Sequence, residues 1–423
     1  MKIIVNYSRS RGEVVIPASK SDLHRAIFAA CLANGTSVIK NITLSNDINA
    51  TIDAFKALGA NIIQKDDTLI INGISDFNSS INKVIDCGES GTTLRFLLPL
   101  VGLFNNEIKL TGAKSLFSRP LSVYEDILKK QNIEYNLSED SFSYKESIKE
   151  GEFILKGDIS SQFISGLLFY LPLLNKDSYI KVLPPFESES YVNMTLKTLK
   201  EFGIQINRIS RHEFVIPGNQ KYISKEYTVE GDYSQFAFYA VLGAINNDVT
   251  CIGLNKDSIQ GDRIILDILK SFNINYTIDG DKITVHKQML IKGNVINLED
   301  CPDLGPICMV LSLFSLTPVR ITNIKRLRLK ESNRIDSMVD NLRKLRANIE
   351  VKENEMIIYP RILTPTKEVL DSHNDHRIMM SLVVLGSKLL GMTRISDPHC
   401  IKKSYVNFYK DIQELGIEVG LYD

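Results

Sequence analysis

Lys20, Ser21, His24 and Arg25 crowd the start of the segment PASKSDLHRAIFAACLANGTS. Its apolar positions Leu23, Ala26, Ile27, Ala30 and Cys31 recur at the three-four spacing of a helix with one buried face. A helix N-terminus already presents partial positive charge and N–H groups without helical partners, so carboxylates are the usual residues there. Fixed cations at that end repel one another unless an anion lies between them. The segment therefore reads as a helix start built to receive an anion. Similar starts recur along the chain. In CGESGTTLRF, Gly91 lets a ligand approach the backbone and Thr92 and Thr93 offer hydroxyls, although a plain capped helix has the same pattern. Arg119 precedes Pro120 at another start. Ser160, Ser161 and Gln162 bring two hydroxyls and an amide suited to a phosphate, and Ser-Ser is also a good N-cap. Arg334 lies in LRLKESNRID, Arg377 in HNDHRIMM and Lys403 in DPHCIKKSY. One such cation would carry no meaning; their recurrence points to several helix ends converging on a polyanion.

Two acids stand among these cations, Asp303 in CPDLGP and Glu331 in LKESNR. Ionised carboxylates among cations stay charged, and two separate groups could move protons at two separate atoms. Each also has a structural reading: Asp303 as a helix N-cap, Glu331 as a salt-bridge partner of neighbouring Lys330 or Arg334. The histidines of HNDH, His373 and His376, lack the nearby cysteine or third histidine that a zinc site favours, so no metal is expected. No phosphate-binding glycine loop or dinucleotide fingerprint occurs in its proper context, and the chemistry reads as cofactor-free.

Two kinds of helix must position these groups, and they alternate. Apolar helices open on Ser, Asp or Gly turns: SKSDLHRAIFAACLA, ESGTTLRFLLPLVGL, SSQFISGLLFYLPLL, DYSQFAFYAVLGAI, PDLGPICMVLSLFS and NDHRIMMSLVVLGSKLL. Amphipathic ones run into short strands: NDINATIDAFKALGANII, RPLSVYEDILKKQNIEYNL, ESYVNMTLKTLKEFGIQI, GDRIILDILKSFNINYTI, SNRIDSMVDNLRKLRANIEV and KSYVNFYKDIQELGIEV. Strand-like runs such as FVIPG, DKITVHK and EMIIYP lie between them. The spacing predicts a strand-and-two-helix module repeated six times, an α/β fold with units longer than ordinary solenoid repeats. Strand-to-turn steps at GEVVIPASK and KEYTVEGDYSQ predict two lobes. Residues 19–229 would form one, and residues 1–18 with 230–423 the other, joined by a double-crossing hinge with a ligand cleft between them.

Composition sets the outer limits. With 423 residues, 44% hydrophobic and 24% charged, the chain has ample core and more length than one core usually organises. Lys+Arg and Asp+Glu both number 50, so no overall field attracts nucleic acid or an acidic membrane. The six cysteines form no CxxC pair, which favours free thiols in a reducing cytoplasm. The N-terminal apolar run is too short for a signal peptide, and no stretch reaches a membrane span.

Taken together, PASKSDLHRA, GESGTTLRF, the RP of FSRPL, GDISSQFISGLL, SESYVNMTL, CPDLGP, LRLKESNRI, NDHRIMM and DPHCIKKSY resemble the signature segments of the 5-enolpyruvylshikimate-3-phosphate synthase family. They occur in the family's order and span almost the whole chain. The resemblance implies an inside-out fold of six βαβαββ units, three per lobe, and a cytoplasmic monomer. It implies transfer of the carboxyvinyl group of phosphoenolpyruvate to the 5-hydroxyl of shikimate 3-phosphate, with release of phosphate, on the way to chorismate and aromatic amino acids. Carried over residue by residue, Lys20, Ser21 and Arg25 would hold shikimate 3-phosphate, and Lys20 would also reach phosphoenolpyruvate. Ser160, Ser161, Ser188 and Lys330 resemble ligands of the shikimate phosphate, and Gln162 would bridge both substrates. Gly91, Arg119, Arg334, Arg377 and Lys403 resemble the phosphoenolpyruvate site. Asp303 resembles the group that orients the hydroxyl and accepts its proton, and Glu331 the proton shuttle to carbon.

The chain departs from the pattern in places. Arg326 stands where many relatives have Asn, which puts one substrate contact in doubt, and Asn333 replaces a commoner Asp. The turn SGTT with Phe96 after Arg95 resembles a branch often less sensitive to glyphosate. Two other readings exist: the sister transferase that uses UDP-N-acetylglucosamine, and a non-catalytic anion-binding protein on this fold. The first typically has a loop cysteine that TGAKSLFSRPLS lacks, and Lys-Asn where this chain has Lys20-Ser21. The second would be expected to lose one of the two acids, and both are present.

Overall fold

The computed structural model describes residues 1–74, 77 and 84–422. The described residues form two compact units, residues 1–17 with 230–423 and residues 18–229. Each has its own hydrophobic core.

The sixfold repeat expected from the sequence is present. Among the described residues there are six four-stranded sheets, three per unit, and one additional two-stranded pair. Every four-stranded sheet has the same internal logic, a parallel pair followed by two antiparallel neighbours. In the sheet Glu152–Lys156, Ser178–Leu183, Glu213–Ile216, Asn207–Ser210, the first two strands run parallel and the remaining pairings are antiparallel. In this sheet the apolar helix Ser161–Tyr170 joins the two parallel strands, and the amphipathic helix Glu189–Glu201 leads to the edge strand Asn207–Ser210, which turns directly into Glu213–Ile216; a parallel neighbour needs a crossover whereas an antiparallel one can follow a tight turn. Three sheets complete themselves with distant strands. Glu13–Val15 pairs with Val249–Ile252, Glu226–Thr228 with Thr36–Lys40, and Lys2–Asn6 inserts between Met392–Ser396 and Val419–Tyr422.

Burial explains the two kinds of helix. Every residue of Tyr233–Ile245, Gly305–Ser312 and His376–Gly386 is buried, and these three pack on one another. Strands such as Lys2–Asn6 and Thr36–Lys40 alternate buried and more exposed residues, so one sheet face covers helices and the other meets solvent. Each unit is thus helical inside and sheeted outside. Helices hydrophobic all round are stable only when surrounded, which the three sheets of a unit provide. The amphipathic helices keep an exposed face, as in Arg334–Lys344.

Candidate active site

Many of the predicted anion-binding residues lie at starts of the apolar helices, and four of those starts are capped by a side chain. Ser19 caps Lys20–Leu32, Ser90 caps Gly91–Leu100, Ser160 caps Ser161–Tyr170 and Asp375 caps His376–Gly386. A cap consumes one N–H and leaves others of the first turn available.

In the unit 18–229 the Lys20 helix carries Asp22 in its own first turn, and that acid accepts from the Tyr227 hydroxyl at 2.7 Å. Asp47, from the next helix, takes Lys20 Nζ at 2.8 Å. Arg25 is buried, donating to the Ser21 and Tyr191 carbonyls at 2.7 and 2.8 Å and to Thr195 Oγ1 at 2.9 Å. Its guanidinium lies over the rings of Phe96 and Tyr191. Burial lowers its pKa to about 10, which leaves it charged at neutral pH. Ser188 heads the Glu189–Glu201 helix in a left-handed conformation, φ 55°, that a serine adopts only when its surroundings impose it.

Gly91, Arg119 and Gln162 come together. A Cβ on Gly91 would lie 3.3 Å from Arg119 Nη1 and 3.6 Å from Gln162 Oε1, so the missing side chain leaves room in front of a guanidinium and an amide. Arg119 itself follows the short helix Lys114–Phe117, and the next helix opens only at Ser122, so it is not at a helix start. Sequence reasoning passed over Arg95. Its Nη1 donates to Gln162 Oε1 at 2.7 Å while Gln162 Nε2 donates to Thr92 Oγ1 at 2.9 Å, which fixes the amide's orientation. Close packing of the two helices makes this possible, since a Cβ on Gly166 would sit 2.5 Å from the Arg95 carbonyl. The Thr93 hydroxyl, expected to face a ligand, is buried and donates to Ser90 Oγ at 2.7 Å.

In the other unit the acids and cations interlock. Asp303 does not cap a helix: it sits within the Pro302–Leu304 turn, and the α-helix begins at Gly305. Its carboxylate instead receives Arg334 Nη1 at 2.9 Å, Arg377 Nη2 at 2.9 Å and Lys330 Nζ at 3.4 Å. Arg334 also grips Asp375 through Nε and Nη2, at 2.8 and 3.3 Å. Burial opposes the Arg334 charge, but Asp375 and Asp303 outweigh it and raise its pKa. Burial likewise opposes the Asp375 charge, and Arg334 holds its pKa below the usual carboxylate value. Burial and the neighbouring Arg326, Arg334 and Arg377 lower the Lys330 pKa to about 8 against the pull of Asp303.

Glu331 adds to the field that raises the Arg334 pKa, and its short contact lies on another element. His376 Nδ1 lies 2.9 Å from its Oε2, on the helix that carries Arg377. Lys403 ends the turn Pro398–Lys403 and donates to the Asn374 carbonyl at 2.6 Å, beside the Asp375 cap. Glu331, Asp375 and His376 each bring one ligand atom within 4.8 Å of the others, a grouping that excludes His373. Both Asp375 oxygens already bind a guanidinium, which repels a dication, so these residues fit an ion-pair network better than a metal. Asn333, the departure noted in the sequence, caps the Arg334 helix by accepting from Asp336 N at 3.3 Å. Sequence reasoning missed Asp47 and Asp375 as partners because charge pairs between distant segments leave no local spacing.

The fold is that of the enolpyruvyl transferases. EPSP synthase from Acinetobacter baumannii matches with a TM-score of 0.80 at 22% identity, covering 100% of both chains. The enolpyruvyl transferase NikO from Streptomyces tendae matches with a TM-score of 0.80 at 15% identity, covering 99% of this chain and 98% of that one. The sequence carries the assignment further. Residues 5–412 match the family model described as EPSP synthase (3-phosphoshikimate 1-carboxyvinyltransferase). A Clostridium perfringens protein named 3-phosphoshikimate 1-carboxyvinyltransferase is 41% identical over 421 residues, with 98% of each chain covered. Its namesake from Clostridioides difficile is 41% identical over 420 residues, covering 97% of this chain and 96% of that one. The chain belongs to the EPSP synthase family.

Proposed function

We infer that this chain transfers the enolpyruvyl group of phosphoenolpyruvate to the 5-hydroxyl of shikimate 3-phosphate and releases inorganic phosphate, in the shikimate pathway. The hydroxyl oxygen adds to the central carbon of phosphoenolpyruvate while the methylene carbon takes a proton. Loss of that proton and of phosphate from the tetrahedral intermediate restores the double bond. Atoms balance without a redox partner or cofactor. Family membership supports this reading, and the residue roles follow the family pattern: Lys20, Ser21, Arg25, Ser160, Ser161, Gln162, Ser188, Asp303 and Lys330 for shikimate 3-phosphate, and Lys20, Gly91, Arg119, Gln162, Arg334, Arg377 and Lys403 for phosphoenolpyruvate. The enzyme would work as a cytoplasmic monomer on these small molecules; among the described residues no helix is long and apolar enough to cross a membrane.

The observation that carries the mechanism is the triple cationic clamp on Asp303. A carboxylate held by three cations is a poor base, because each cation stabilises the ionised form. Substrate carboxylate and phosphate groups would compete for Arg334, Arg377 and Lys330. As those contacts transfer to substrate, the Asp303 carboxylate gains proton affinity, at the stage when the attacking hydroxyl must lose its proton. Glu331, oriented by His376, would be the separate group that delivers a proton to carbon.

Phosphate release from phosphoenolpyruvate tests the function. Shikimate 3-phosphate should support it and UDP-N-acetylglucosamine should not. Asp303→Asn should bind shikimate 3-phosphate yet turn over at least about a hundredfold more slowly, the range of a lost general base. Retention of more than about a tenth of wild-type turnover would remove Asp303 from the proton-transfer role.

A further inference from the structure

His24 shares the first turns of its helix with Lys20 and Arg25, yet no role in the reaction absorbs it. It is fully buried. Burial, with Lys20 and Arg25 beside it, holds its pKa well below 6.5, so the ring is neutral and has a single N–H. Its Nδ1 lies 2.9 Å from Thr51 Oγ1, and among the described residues Nε2 has no hydrogen-bond partner. A chain of short contacts continues from there. Thr51 Oγ1 lies 2.6 Å from Thr93 Oγ1, and Thr93 Oγ1 donates to Ser90 Oγ at 2.7 Å. Ser90 Oγ also accepts from Thr93 N at 3.2 Å, as the N-cap of the Gly91 helix.

The directions follow from counting protons. Thr93 gives its hydroxyl proton to Ser90, so its oxygen accepts from Thr51. Thr51 could otherwise donate to the Asp47 carbonyl, but that contact is longer, 3.4 Å. With the Thr51 proton given to Thr93, its oxygen accepts from His24 Nδ1–H. One N–H therefore orders a line of hydroxyls that ends on the cap of the Gly91 turn. The helix supplying Thr51 also supplies Asp47, the partner of Lys20. The line thus ties the start of the Gly91 helix to the start of the Lys20 helix.

We propose that His24 is a positioning residue which, through Thr51, Thr93 and Ser90, holds the Gly91 turn in the geometry that receives phosphoenolpyruvate. The proposal rests on the functional reading above for the identity of the ligand. Removing the donor leaves the buried Thr51 oxygen without its proton partner and lets the three hydroxyls reorient. Such a fault acts first on the turn, because Arg25, the buried cation assigned to shikimate 3-phosphate, is held by Ser21, Tyr191 and Thr195 instead.

The test compares His24→Leu, Thr93→Val and His24→Asn, because an asparagine amide nitrogen branches from Cγ as Nδ1 does and keeps a donor there. His24→Leu and Thr93→Val should each raise KM for phosphoenolpyruvate about tenfold, as a difference of one buried hydrogen bond predicts, while calorimetric binding of shikimate 3-phosphate changes less than about twofold. His24→Asn should recover most of the loss. Without ligand, the Thr92 and Thr93 amides should exchange faster in His24→Leu than in His24→Asn. KM within about twofold of wild type in the leucine or valine variant, equal impairment of leucine and asparagine variants, or equal weakening of both substrates would overturn the proposal. If His24→Leu does not fold, Thr93→Val decides. A wild-type enzyme inactive with these substrates refutes the functional reading, and the exchange comparison still judges the positioning role.

Discussion

At Asp303 a single carboxylate balances Arg334, Arg377 and Lys330, and the weakest member of that group is the one whose charge can be lost. Asp375 and Asp303 hold the Arg334 guanidinium above its usual value, whereas burial and the nearby arginines push Lys330 down to about 8. Its side chain retains 27% exposure, so solvent softens the burial that drives the shift. The neighbouring arginines push in the same direction. Between about 8 and the ordinary lysine value of 10.5, the unfolded chain holds a proton that the folded chain has released, so stability rises with pH across this window. Anion binding moves the opposite way, because only protonated Lys330 attracts a phosphate. KM for shikimate 3-phosphate should therefore climb above about pH 8, approaching tenfold per pH unit, while Lys330→Arg should show a flat profile to pH 9 whatever its absolute affinity. Identical profiles for the two enzymes would exclude Lys330 as the titrating ligand. The presence of an acid among cations was legible from CPDLGP and LKESNR, but its partners were not. The cap reading of Asp303 failed because Pro302 opens a separate tight turn before the α-helix begins at Gly305.

Several of the assigned groups sit at helix starts, and the Gly91 helix shows how little space one such start has. A Cβ at Gly91 would lie 3.2 Å from Arg95 Nη1, 3.3 Å from Arg119 Nη1 and 3.6 Å from Gln162 Oε1. These atoms are the ends of flexible side chains, so Gly91→Ala should fold, with melting temperature close to wild type. The methyl would occupy the space the cations leave for a ligand. KM for phosphoenolpyruvate should rise about tenfold or more, and binary binding of shikimate 3-phosphate should persist. An unchanged KM for phosphoenolpyruvate would move that substrate away from Gly91. All twelve of these helices were readable from sequence, the amphipathic six because each buries one face with a period of 3.6 and the apolar six because each is a long apolar run opened by a Ser, Asp or Gly turn. The two-residue strands Ala33–Asn34 and Tyr222–Ile223 pair in parallel with no comparable signal. Three residues of Glu13–Val15 could not reveal their partner Val249–Ile252 for the same reason: too few alternations exist to fix a register.

Across the molecule, charge cancels to zero while the residues assigned to the reaction divide between two units with separate cores. Lys20, Ser21, Arg25, Gly91, Arg119, Ser160, Ser161, Gln162 and Ser188 belong to residues 18–229, and Asp303, Lys330, Glu331, Arg334, Arg377 and Lys403 to the other unit. The sixfold repeat was legible because helix types alternate without exception. How much of the reaction each unit serves was not, since only the resemblance assigned residues to substrates. Most groups assigned to shikimate 3-phosphate lie in residues 18–229, whereas in the second unit Arg334 and Arg377 are already paired with Asp303 and Asp375. Substrate must displace those ion pairs, which costs free energy that a single ligand recovers only in part. Shikimate 3-phosphate alone should therefore slow amide exchange mainly near residues 20–25, 160–165 and 188–195. Adding a non-reacting phosphoenolpyruvate analogue should extend protection to 303–307, 331–336 and 375–380, and the analogue alone should protect neither set strongly. Hydrogen exchange read by mass spectrometry resolves these segments, because local opening reports how firmly each helix start is held. Equal protection of both sets by shikimate 3-phosphate alone, or strong protection by the analogue alone, would contradict an ordered assembly in which the first anion prepares the site for the second.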